Sequence, residues 1–285
     1  KREAMLRNIL GQIETDSRVH GYVNSNGAVT GRMTHSSPNM AQIPAVKKKD
    51  DKVVWGLGGG YGADFRALFT VRDGYKLVGC DASSLELRML AHYMDDTEYT
   101  NEILHGDIHL KNQIATGLKT RDKAKTFIFA FLYGAGDAKI GSIIGGSDRE
   151  GKKIKTNFLN NTPALRSLRE KVINSSGKGF IKGLDGRKIW IRSSHAALNF
   201  LLQGAGAIVM KKALTILNNN AIMEGLDYKL VGNIHDEFQS EVLDKHATRF
   251  GELAIEAIKE AGQYYELRCP LDAETKIGNN WTETH

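Results

Sequence analysis

The sequence predicts an α+β fold in a chain long enough for two subdomains. Its 285 residues include 41% hydrophobic side chains and only four prolines, which is typical of a folded protein rather than a disordered one. Paired β-prone runs near both ends of the chain predict antiparallel hairpins. Apolar residues at helical spacing dominate the middle and predict a mainly helical insertion.

The composition restricts the class of protein. The formal net charge of +6 favours polyanionic partners without identifying one. The two cysteines, Cys80 and Cys269, lack the spacing of metal ligands, so we expect a reducing cytoplasm, that of the host if the source is viral. No apolar run of about 18 residues occurs, so we expect no membrane partner. Because the chain begins with Lys1 rather than methionine, we expect it to be a piece of a longer protein.

The first third begins with a helix and a hairpin. Helical spacing of apolar residues predicts a helix over residues 1–20, interrupted at Gly11. Two β-prone runs over residues 21–34 flank Asn26 and Gly27, a dipeptide that favours a tight hairpin turn.

Two glycine- or lysine-rich stretches follow. The lysines at 47–49 are typical of a solvated loop, and Asp50 and Asp51 nearly cancel their charge. Residues 56–62 are rich in glycine but lack the Gly-Lys-Ser/Thr ending of a phosphate-binding loop, so we expect a flexible loop.

A carboxylate marks the change from strand to helix at Asp81. Residues 77–80 are apolar and predict a short buried strand, and a helical pattern follows that continues over residues 92–106. A carboxylate at the end of a buried strand is costly unless a cation binds it. Ser83 and Glu86 have the spacing of a capping box, so helix capping explains Glu86 on the local pattern alone.

A helix is predicted between Thr120, a good N-cap, and Gly134, a good stop. Residues four apart on this helix form one stripe that changes from cationic to aromatic. Such a stripe suits a nucleotide, with the triphosphate at one end and the base at the other. The alternative is a solvated helix end that runs into a core. The stripe consists of Arg121, Lys125, Phe129 and Tyr133, and a separate apolar face consists of Phe127, Ile128, Phe131 and Leu132.

The remaining elements are mostly hairpins and long helices. Residues 137–176 predict helices broken by a loop over 141–146, with Pro163 at a helix start. Further along the chain, the patterns predict a hairpin over 180–192, a helix over 195–219, a hairpin over 228–242 with residues 235–237 at its tip, a helix over 245–262 and a strand over 267–273.

Two carboxylates at strand ends, Asp81 and Asp236, suggest a site for divalent metal ions. Aspartate is favoured in turns, so Asp236 alone is unremarkable. Together with the paired cations Arg121 and Lys125, the two aspartates make a coherent phosphoryl-transfer site. Two metal ions about 4 Å apart would hold the attacking and leaving oxygens in line, and the cations would neutralise phosphates.

Three ordered motifs resemble those of family A DNA polymerases, and of their phage T7-like branch in particular. They are Asp-Ala-Ser-Ser-Leu-Glu-Leu-Arg at 81–88, Arg-x3-Lys-x3-Phe-x3-Tyr-Gly at 121–134 and His-Asp-Glu at 235–237. The segments 27–35, 103–109 and 181–188 also resemble sequences of the phage T7-like branch, and so does segment 278–281.

The resemblance implies a role for each matching residue. Asp81 and Asp236 would bind two Mg²⁺ ions, with the Ala82 carbonyl as an additional ligand and Glu237 as a supporting carboxylate. Glu86 would exclude a ribose 2′-hydroxyl. Catalysis would thus rest on Asp81, Asp236 and Lys125, with Lys125 protonating the pyrophosphate leaving group. Triphosphate contacts would come from His109, Arg121 and Lys125, base contacts from Phe129 and Tyr133, and primer–template contacts from Arg32, Asn199, Gln203 and His235.

The resemblance also implies a domain arrangement. Residues 1–95 and 190–285 would form the palm, with its antiparallel sheet, and residues 96–189 the mainly helical fingers. About 20 residues precede the first hairpin, so we expect the thumb and the 3′–5′ exonuclease domain to be missing. A separate chain could supply them. The implied reaction is template-directed DNA synthesis from dNTPs on a primer–template.

Two alternatives remain open at this point. A single-subunit RNA polymerase shares the metal aspartates and the helix that carries Arg121, but Glu86 would leave no room for a 2′-hydroxyl. The second alternative is a nucleic-acid-binding fragment that is inactive without its thumb.

Overall fold

The computed structural model describes residues 2–285. The chain forms two compact units: the first comprises Lys1–Ser83, Ala207–Tyr264 and Leu271–His285, and the second comprises Ser84–Gly206 and Tyr265–Pro270. The main boundaries between the units lie after Ser83 and after Gly206, whereas the predicted limits are at 95 and 190. The assignment of palm and fingers to parts of the chain stays a proposal.

Eleven α-helices occur within residues 2–285. In chain order they are α1 (Arg2–Leu10), α2 (Gly62–Ala67), α3 (Leu85–Met94), α4 (Thr97–His105), α5 (Ile108–Thr116), α6 (Arg121–Leu132), α7 (Asp137–Ile144), α8 (Asp148–Asn161), α9 (Pro163–Ser176), α10 (Ala197–Met223) and α11 (Ala247–Tyr264).

Ten β-strands occur in the same described range. They are β1 (Tyr22–Asn24), β2 (Thr34–Ser36), β3 (Lys48–Lys49), β4 (Lys52–Val53), β5 (Tyr75–Ala82), β6 (Phe180–Lys182), β7 (Lys188–Trp190), β8 (Tyr228–Ile234), β9 (Glu237–Leu243) and β10 (Ala273–Gly278).

The first unit is built on a four-stranded antiparallel sheet with the strand order β10-β5-β9-β8. Its central strand β5 is buried over Leu77–Cys80, as the apolar run predicts. The helix α11 packs on β5 and β10 through one apolar face. The C-terminal segment also packs closely on β5. Gly79 allows this, because a Cβ at this position would lie 2.4 Å from the carbonyl oxygen of Thr284. Mixed helices and an antiparallel sheet confirm the α+β prediction.

The hydrophobic core of the first unit joins segments that are far apart in sequence. It contains Ile9 from α1, Phe65 from α2, Leu77 from β5, Ile234 from β8 and Trp281 near the C-terminus. Burying each of these large side chains contributes about 1.5–3 kcal/mol. This core therefore anchors β5 at Leu77, near its start, and β8 at Ile234, two residues before Asp236.

Three predicted elements of the first unit are wrong in extent. The first helix ends at Leu10 rather than near residue 20. The first hairpin has no tight Asn-Gly turn, since β1 pairs with β2 across the nine residues 25–33. Gly27 is needed for space instead, because a Cβ there would lie 1.9 Å from the Thr34 hydroxyl. The last strand is Ala273–Gly278 rather than 267–273, since Pro270 has no N–H to offer a sheet.

The change from strand to helix after Asp81 differs from the prediction in detail. Asp81 lies inside β5, which ends at Ala82. The N-cap of α3 is Ser84, not Ser83, and Ser84 has the left-handed φ of 52° and no capping hydrogen bond from its side chain. The predicted Ser83–Glu86 capping box is therefore wrong in its N-cap residue.

The second unit consists mainly of helices. Thr120 caps α6 by accepting a hydrogen bond from the Lys123 amide, as predicted. The apolar face of α6 is buried, and Phe127 and Phe131 pack against Phe158 of α8 with ring centroids 5.2 and 5.3 Å apart. This aromatic cluster holds α6 so that its other face is exposed.

Helix breaks in the second unit fall at other residues than predicted. The pattern over 92–106 is interrupted at Asp95, which has a left-handed φ of 53°, so α3 and α4 are separate helices. Gly141 lies within α7, and the break comes at Gly145. Gly141 packs against Ser147, where a Cβ would lie 2.4 Å from the carbonyl oxygen. Pro163 begins α9, as predicted.

The stretch Ser194–Met223, which contains α10, is long and apolar enough to cross a membrane by length and composition. Of its most apolar window, 67% is buried inside the protein. A buried core helix passes the same test, so the finding is weak evidence for a membrane span.

Candidate active site

In the first unit, strand pairing brings the two predicted metal aspartates to the same end of the sheet. β5 pairs with β9 so that Asp81 lies opposite Glu237. The turn between β8 and β9 consists of His235 and Asp236, with a left-handed φ of 63° at His235. The Ala82 amide donates a hydrogen bond of 3.0 Å to the Asp236 carbonyl oxygen. Asp81 and Asp236 are therefore neighbours although 155 residues separate them.

The electrostatics at this end of the sheet favour a bound cation. Asp81 keeps an exposed surface, yet desolvation by the surrounding protein, together with the negative charges of Asp236 and Glu237, raises its pKa to about 7, against the opposing effect of Lys276. Burial also raises the pKa of Asp236. Within residues 2–285 neither aspartate forms an ion pair with a basic side chain. The two carboxylates thus repel each other with no direct counter-charge.

The donor set is compatible with magnesium. Within residues 2–285 no group of three or more His, Cys, Asp or Glu side chains could hold a metal ion. Magnesium does not require such a group, because it is commonly bound by one or two carboxylates together with water and substrate phosphate oxygens. Two adjacent carboxylates that repel each other provide such a set.

Glu237 is the centre of a buried network. Its carboxylate accepts hydrogen bonds from Trp281 Nε1 at 2.7 Å, from Gln239 Nε2 at 2.5 Å and from His285 Nδ1 at 3.0 Å. The guanidinium of Arg66 lies 3.7 Å from Glu237 and 4.1 Å from the Trp281 ring centroid. Burial raises the pKa of Glu237, but the bonds from His285, Trp281 and Gln239 outweigh it and leave that pKa lowered. Glu237 therefore stays ionised and holds the start of β9.

The sequence did not predict the roles of the residues around Glu237. Arg66, Trp281 and His285 are far from residue 237 in sequence, and their local patterns show no sign of a shared partner. One signal in the sequence could have indicated such partners: a carboxylate, Glu237, stands at the start of a buried strand, where it needs hydrogen-bond donors.

The predicted DNA contacts of the first unit lie beside the same turn. His235 keeps an exposed surface, yet desolvation and the charge of Arg32 lower its pKa, and the charge of Arg32 also acts on Asp236. His35, which was not among the predicted contacts, donates from Nε2 to the Asn233 carbonyl oxygen at 2.9 Å. This bond joins β2 to the end of β8 and so positions the loop that carries Arg32.

In the second unit, the predicted triphosphate contacts converge. Arg121 and Lys125 are exposed on α6. Burial lowers the pKa of His109, and the charges of Arg121 and Lys125 lower it further, so the three side chains are close enough to interact. The Nδ1 atom of His109 is buried without a hydrogen-bond partner. Two cations that disfavour the charged form of a neighbouring histidine are suited to an anion such as a triphosphate.

Asp107 holds this cationic group in place and was not predicted. One carboxylate oxygen caps α5 by accepting from the His109 and Leu110 amides. The other accepts a hydrogen bond of 2.6 Å from Arg121 Nε. Asp107 thereby links the first turn of α5, which carries His109, to the first turn of α6.

The predicted sugar gate is joined to the aromatic end of the stripe. Glu86 accepts a hydrogen bond of 3.0 Å from the hydroxyl of Tyr133. Phe129 lies one turn earlier on α6, with its ring centroid 6.3 Å from that of His109. The stripe therefore runs from Arg121 and Lys125 at the start of α6 to Tyr133, which is hydrogen-bonded to a carboxylate, at its end.

The predicted DNA contacts of the second unit share one face of α10. Asn199 and Gln203 are four residues apart, and the buried Nδ2 atom of Asn199 has no hydrogen-bond partner.

Gly134, at the end of α6, approaches the residues just before α10. Its φ is 78°, and a Cβ there would lie 2.7 Å from the His195 carbonyl oxygen. Only glycine suits both requirements.

Each unit thus collects its own share of the predicted residues. The first unit holds Arg32, Asp81, Ala82, His235, Asp236 and Glu237, and the second holds Glu86, His109, Arg121, Lys125, Phe129, Tyr133, Asn199 and Gln203.

Comparisons with known proteins agree with these features. A family model for DNA polymerase family A matches residues 2–283. DNA-directed DNA polymerases of Enterobacteria phage T3 and Escherichia phage T7 are each 44% identical over 309 aligned residues, which cover 97% of this chain and 42% of the phage protein. The chain therefore spans less than half the length of these relatives.

A solved structure has the same fold. The POL domain of Pol1 from M. smegmatis, in complex with DNA primer-template and dNTP, aligns with a TM-score of 0.86 and 23% identity. The alignment covers 99% of this chain and 51% of the other. At that identity the likeness concerns the fold alone. The match along nearly the whole chain shows that this chain belongs to DNA polymerase family A.

Proposed function

We propose that the chain carries out template-directed DNA synthesis, in which a primer 3′-hydroxyl attacks the α-phosphate of a dNTP and pyrophosphate leaves. The observation that carries the proposal is that Asp81 and Asp236 are neighbours at one end of the sheet, in a member of this polymerase family. Two adjacent carboxylates without a direct counter-charge are suited to the divalent ions of phosphoryl transfer.

Asp81 and Asp236 would hold two Mg²⁺ ions, with the Ala82 carbonyl as a further ligand. Bound there, the ions would supply charge neutralisation and alignment of the attacking and leaving oxygens. Glu237 would support the site indirectly, because its network orients the start of β9 next to Asp236.

In the second unit, His109, Arg121 and Lys125 would bind the triphosphate. The lowering of the His109 pKa by the charges of Arg121 and Lys125 supports this, since a bound anion would oppose it. Lys125 would also donate a proton to the leaving pyrophosphate. Phe129 and Tyr133 would contact the incoming base and the templating position. Glu86 would exclude a 2′-hydroxyl from the sugar position.

Primer–template DNA would be contacted by Arg32 and His235 in the first unit and by Asn199 and Gln203 in the second. The structural relative from M. smegmatis is described with primer-template DNA and dNTP, which supports the same partners here. A separate chain that supplies a thumb or an exonuclease is a further proposal, and so is a cytoplasmic location, that of the host if the source is viral. Both cysteines are free and buried.

Primer extension by Asp81→Asn and Asp236→Asn variants tests the proposal. Each change removes a metal ligand and keeps the side-chain shape, so extension should fall at least about a thousandfold. Binding of primer–template DNA, measured by fluorescence anisotropy, should change little. Asp244→Asn, an exposed aspartate of the same unit, is the matched control and should extend primers normally. Normal extension by either active-site variant would overturn the metal assignment.

The sugar preference of the wild-type protein distinguishes DNA synthesis from RNA synthesis. Extension with dNTPs should greatly exceed extension with rNTPs, because Glu86 occupies the space that a 2′-hydroxyl needs. A strong preference for rNTPs would favour a single-subunit RNA polymerase. DNA binding with no extension from either substrate would favour a binding fragment.

A further inference from the structure

A small basic hairpin in the first unit lies outside the candidate active site. We define the basic hairpin as residues 47–55, which include β3 and β4. Lys48 pairs with Val53 and Lys49 with Lys52. Asp50 and Asp51 form the turn with left-handed φ angles of 50° and 58°, as in the two-residue turns that match the twist of a hairpin. The side chains therefore have defined faces.

The lysines of the basic hairpin are exposed and form no ion pairs with the described part of the chain. Lys47, Lys48, Lys49 and Lys52 are all exposed, and none forms an ion pair within residues 2–285. Lys49 and Lys52 lie directly opposite each other in the register. Like charges in that position destabilise a strand pair. The arrangement therefore costs folding free energy, and two aspartates against four lysines leave the hairpin with a net charge of +2.

Exposed apolar side chains lie beside these lysines. The exposed fraction is 54% for Trp55 and 81% for Leu57. Lysines next to an exposed tryptophan are suited to a single nucleic-acid strand, because lysines bind phosphates and an aromatic ring stacks on a base of any sequence.

The base of the hairpin is firmly attached to the unit. The Val54 amide donates to the Lys47 carbonyl oxygen at 2.9 Å, and the Gly56 amide donates to the Asp64 carboxylate at 2.8 Å. Gly59 packs on the carbonyl of Val54, where a Cβ would lie 1.8 Å from the oxygen. The hairpin is therefore presented on a defined base.

We propose that the basic hairpin binds single-stranded template DNA, with its lysines on the phosphates and Trp55 stacked on a base. The proposal rests on the proposed function in so far as a DNA polymerase has a template strand to hold. It adds a DNA contact outside the residues that the family motifs supply.

Fluorescence anisotropy of the full chain with a labelled single-stranded oligonucleotide of mixed sequence tests the lysines. Lys49→Gln/Lys52→Gln should weaken binding about fivefold to tenfold at low salt and reduce the salt slope by about 1.4, as expected for two single-strand phosphate contacts. Lys229→Gln/Lys245→Gln removes the same charge from exposed lysines of the same unit and is the matched control. Equal losses in both double variants would overturn the proposal, since only net charge would then matter.

The melting temperature of the same variant provides a second readout. Removal of two opposed like charges should leave the melting temperature unchanged or raise it. Weaker DNA binding together with an equal or higher melting temperature supports a binding role. A lower melting temperature would overturn it, because the lysines would then serve the fold.

Two further variants test the aromatic contact and the acidic turn. Trp55→Ala should weaken single-strand binding about tenfold and Trp55→Phe much less, because phenylalanine still stacks. Binding of a blunt duplex should change little in either variant, and an equal loss there would contradict stacking on an unpaired base. Asp50→Asn/Asp51→Gly keeps a favoured turn and removes two negative charges, so it should tighten binding. Unchanged or weaker binding by this variant would count against the proposal.

These binding measurements need neither dNTP nor magnesium, so they are independent of catalysis. If wild-type protein extends primers and Lys49→Gln/Lys52→Gln binds DNA as wild type does, only the hairpin proposal fails. If no extension occurs but the hairpin variants lose single-strand binding as expected, only the proposed function fails.

Discussion

The hydroxyl of Tyr133 donates a hydrogen bond to the carboxylate of Glu86 over 3.0 Å, although 47 residues separate them. The bond joins the first turn of α3 to the end of α6. It gives Glu86 a fixed orientation that a helix cap alone would not provide. Sugar selection by Glu86 should therefore depend on Tyr133 as well.

Removal of the Tyr133 hydroxyl should loosen sugar selection. Tyr133→Phe should raise the ratio of rNTP to dNTP incorporation about threefold to tenfold, since Glu86 keeps its carboxylate and loses only the hydrogen bond that orients it. Glu86→Ala should raise the ratio further, and single-nucleotide extension measures both. Tyr228→Phe, which loses a 2.7 Å bond to Asn218, is the control and should leave the ratio unchanged. Unaltered selection in Glu86→Ala would show that Glu86 is not the gate.

Asp107 should affect nucleotide binding through Arg121. Asp107→Asn keeps an N-cap acceptor for α5 but removes the charge that orients the Arg121 guanidinium. We expect the KM for dNTP to rise about fivefold with kcat within about twofold, the pattern of lost ground-state binding. Glu98→Gln, which weakens the exposed 2.5 Å pair with Lys111, should change neither. A fall in kcat alone would contradict this role.

Phe129 should set the response to dideoxynucleotides. The resemblance to family A polymerases implies that Phe at this position discriminates against a missing 3′-hydroxyl. Phe129→Tyr adds a hydroxyl at the aromatic end of the stripe and should raise dideoxynucleotide incorporation at least about tenfold. Competition between a dNTP and its dideoxy analogue measures the ratio, with dNTP extension alone as the control. An unchanged ratio would refute the assignment of the base end.

Repulsion between Asp81 and Asp236 should be visible in stability. In a buffer with EDTA, Asp81→Asn should raise the melting temperature by about 2–4 °C, which corresponds to about 1 kcal/mol. Magnesium should raise the melting temperature of the wild type, because it binds the folded state, and should have little effect on Asp81→Asn. Scanning calorimetry with and without magnesium measures both. Equal magnesium effects in the two proteins would contradict a site at Asp81.

Loss of Glu237 should strongly destabilise the first unit. Glu237→Ala leaves the buried Arg66 guanidinium without its partner, which costs about 3–5 kcal/mol. Urea denaturation measures the free energy of unfolding. Glu252→Ala, which removes an exposed partner of Arg249, should cost less than about 1 kcal/mol. Similar losses of unfolding free energy in both variants would show that the buried network contributes no more to stability than an exposed ion pair.

Elements with complete local signals were predictable from the sequence. Thr120 and Gly134 bound α6 as expected, and the four-residue spacing correctly separated its exposed stripe from its buried face. The predicted hairpin tip at 235–237 was correct for residues 235 and 236, whereas Glu237 already begins β9. Each of these depends on neighbours within a few residues, which periodicity and capping describe well.

Elements with ambiguous local signals were not predictable from the sequence. Asn26-Gly27 has the strongest short hairpin signal, yet the pairing of β1 with β2 passes over it. Ser83 and Ser84 are equivalent as caps, and the structure uses Ser84 with a left-handed backbone. In both places the packing of distant segments outweighs a local preference of about 1 kcal/mol.

The sequence by itself determined the polymerase motifs, their order and the face of α6 that carries the cations. Only the tertiary structure decided that Asp81 lies beside Asp236, that Glu86 is bound by Tyr133, that Asp107 holds Arg121, and that Glu237 is shared by Arg66, Trp281 and His285. Helical periodicity acts over a few residues and is visible in the sequence. Strand register and side-chain partners between distant segments depend on how the whole chain packs.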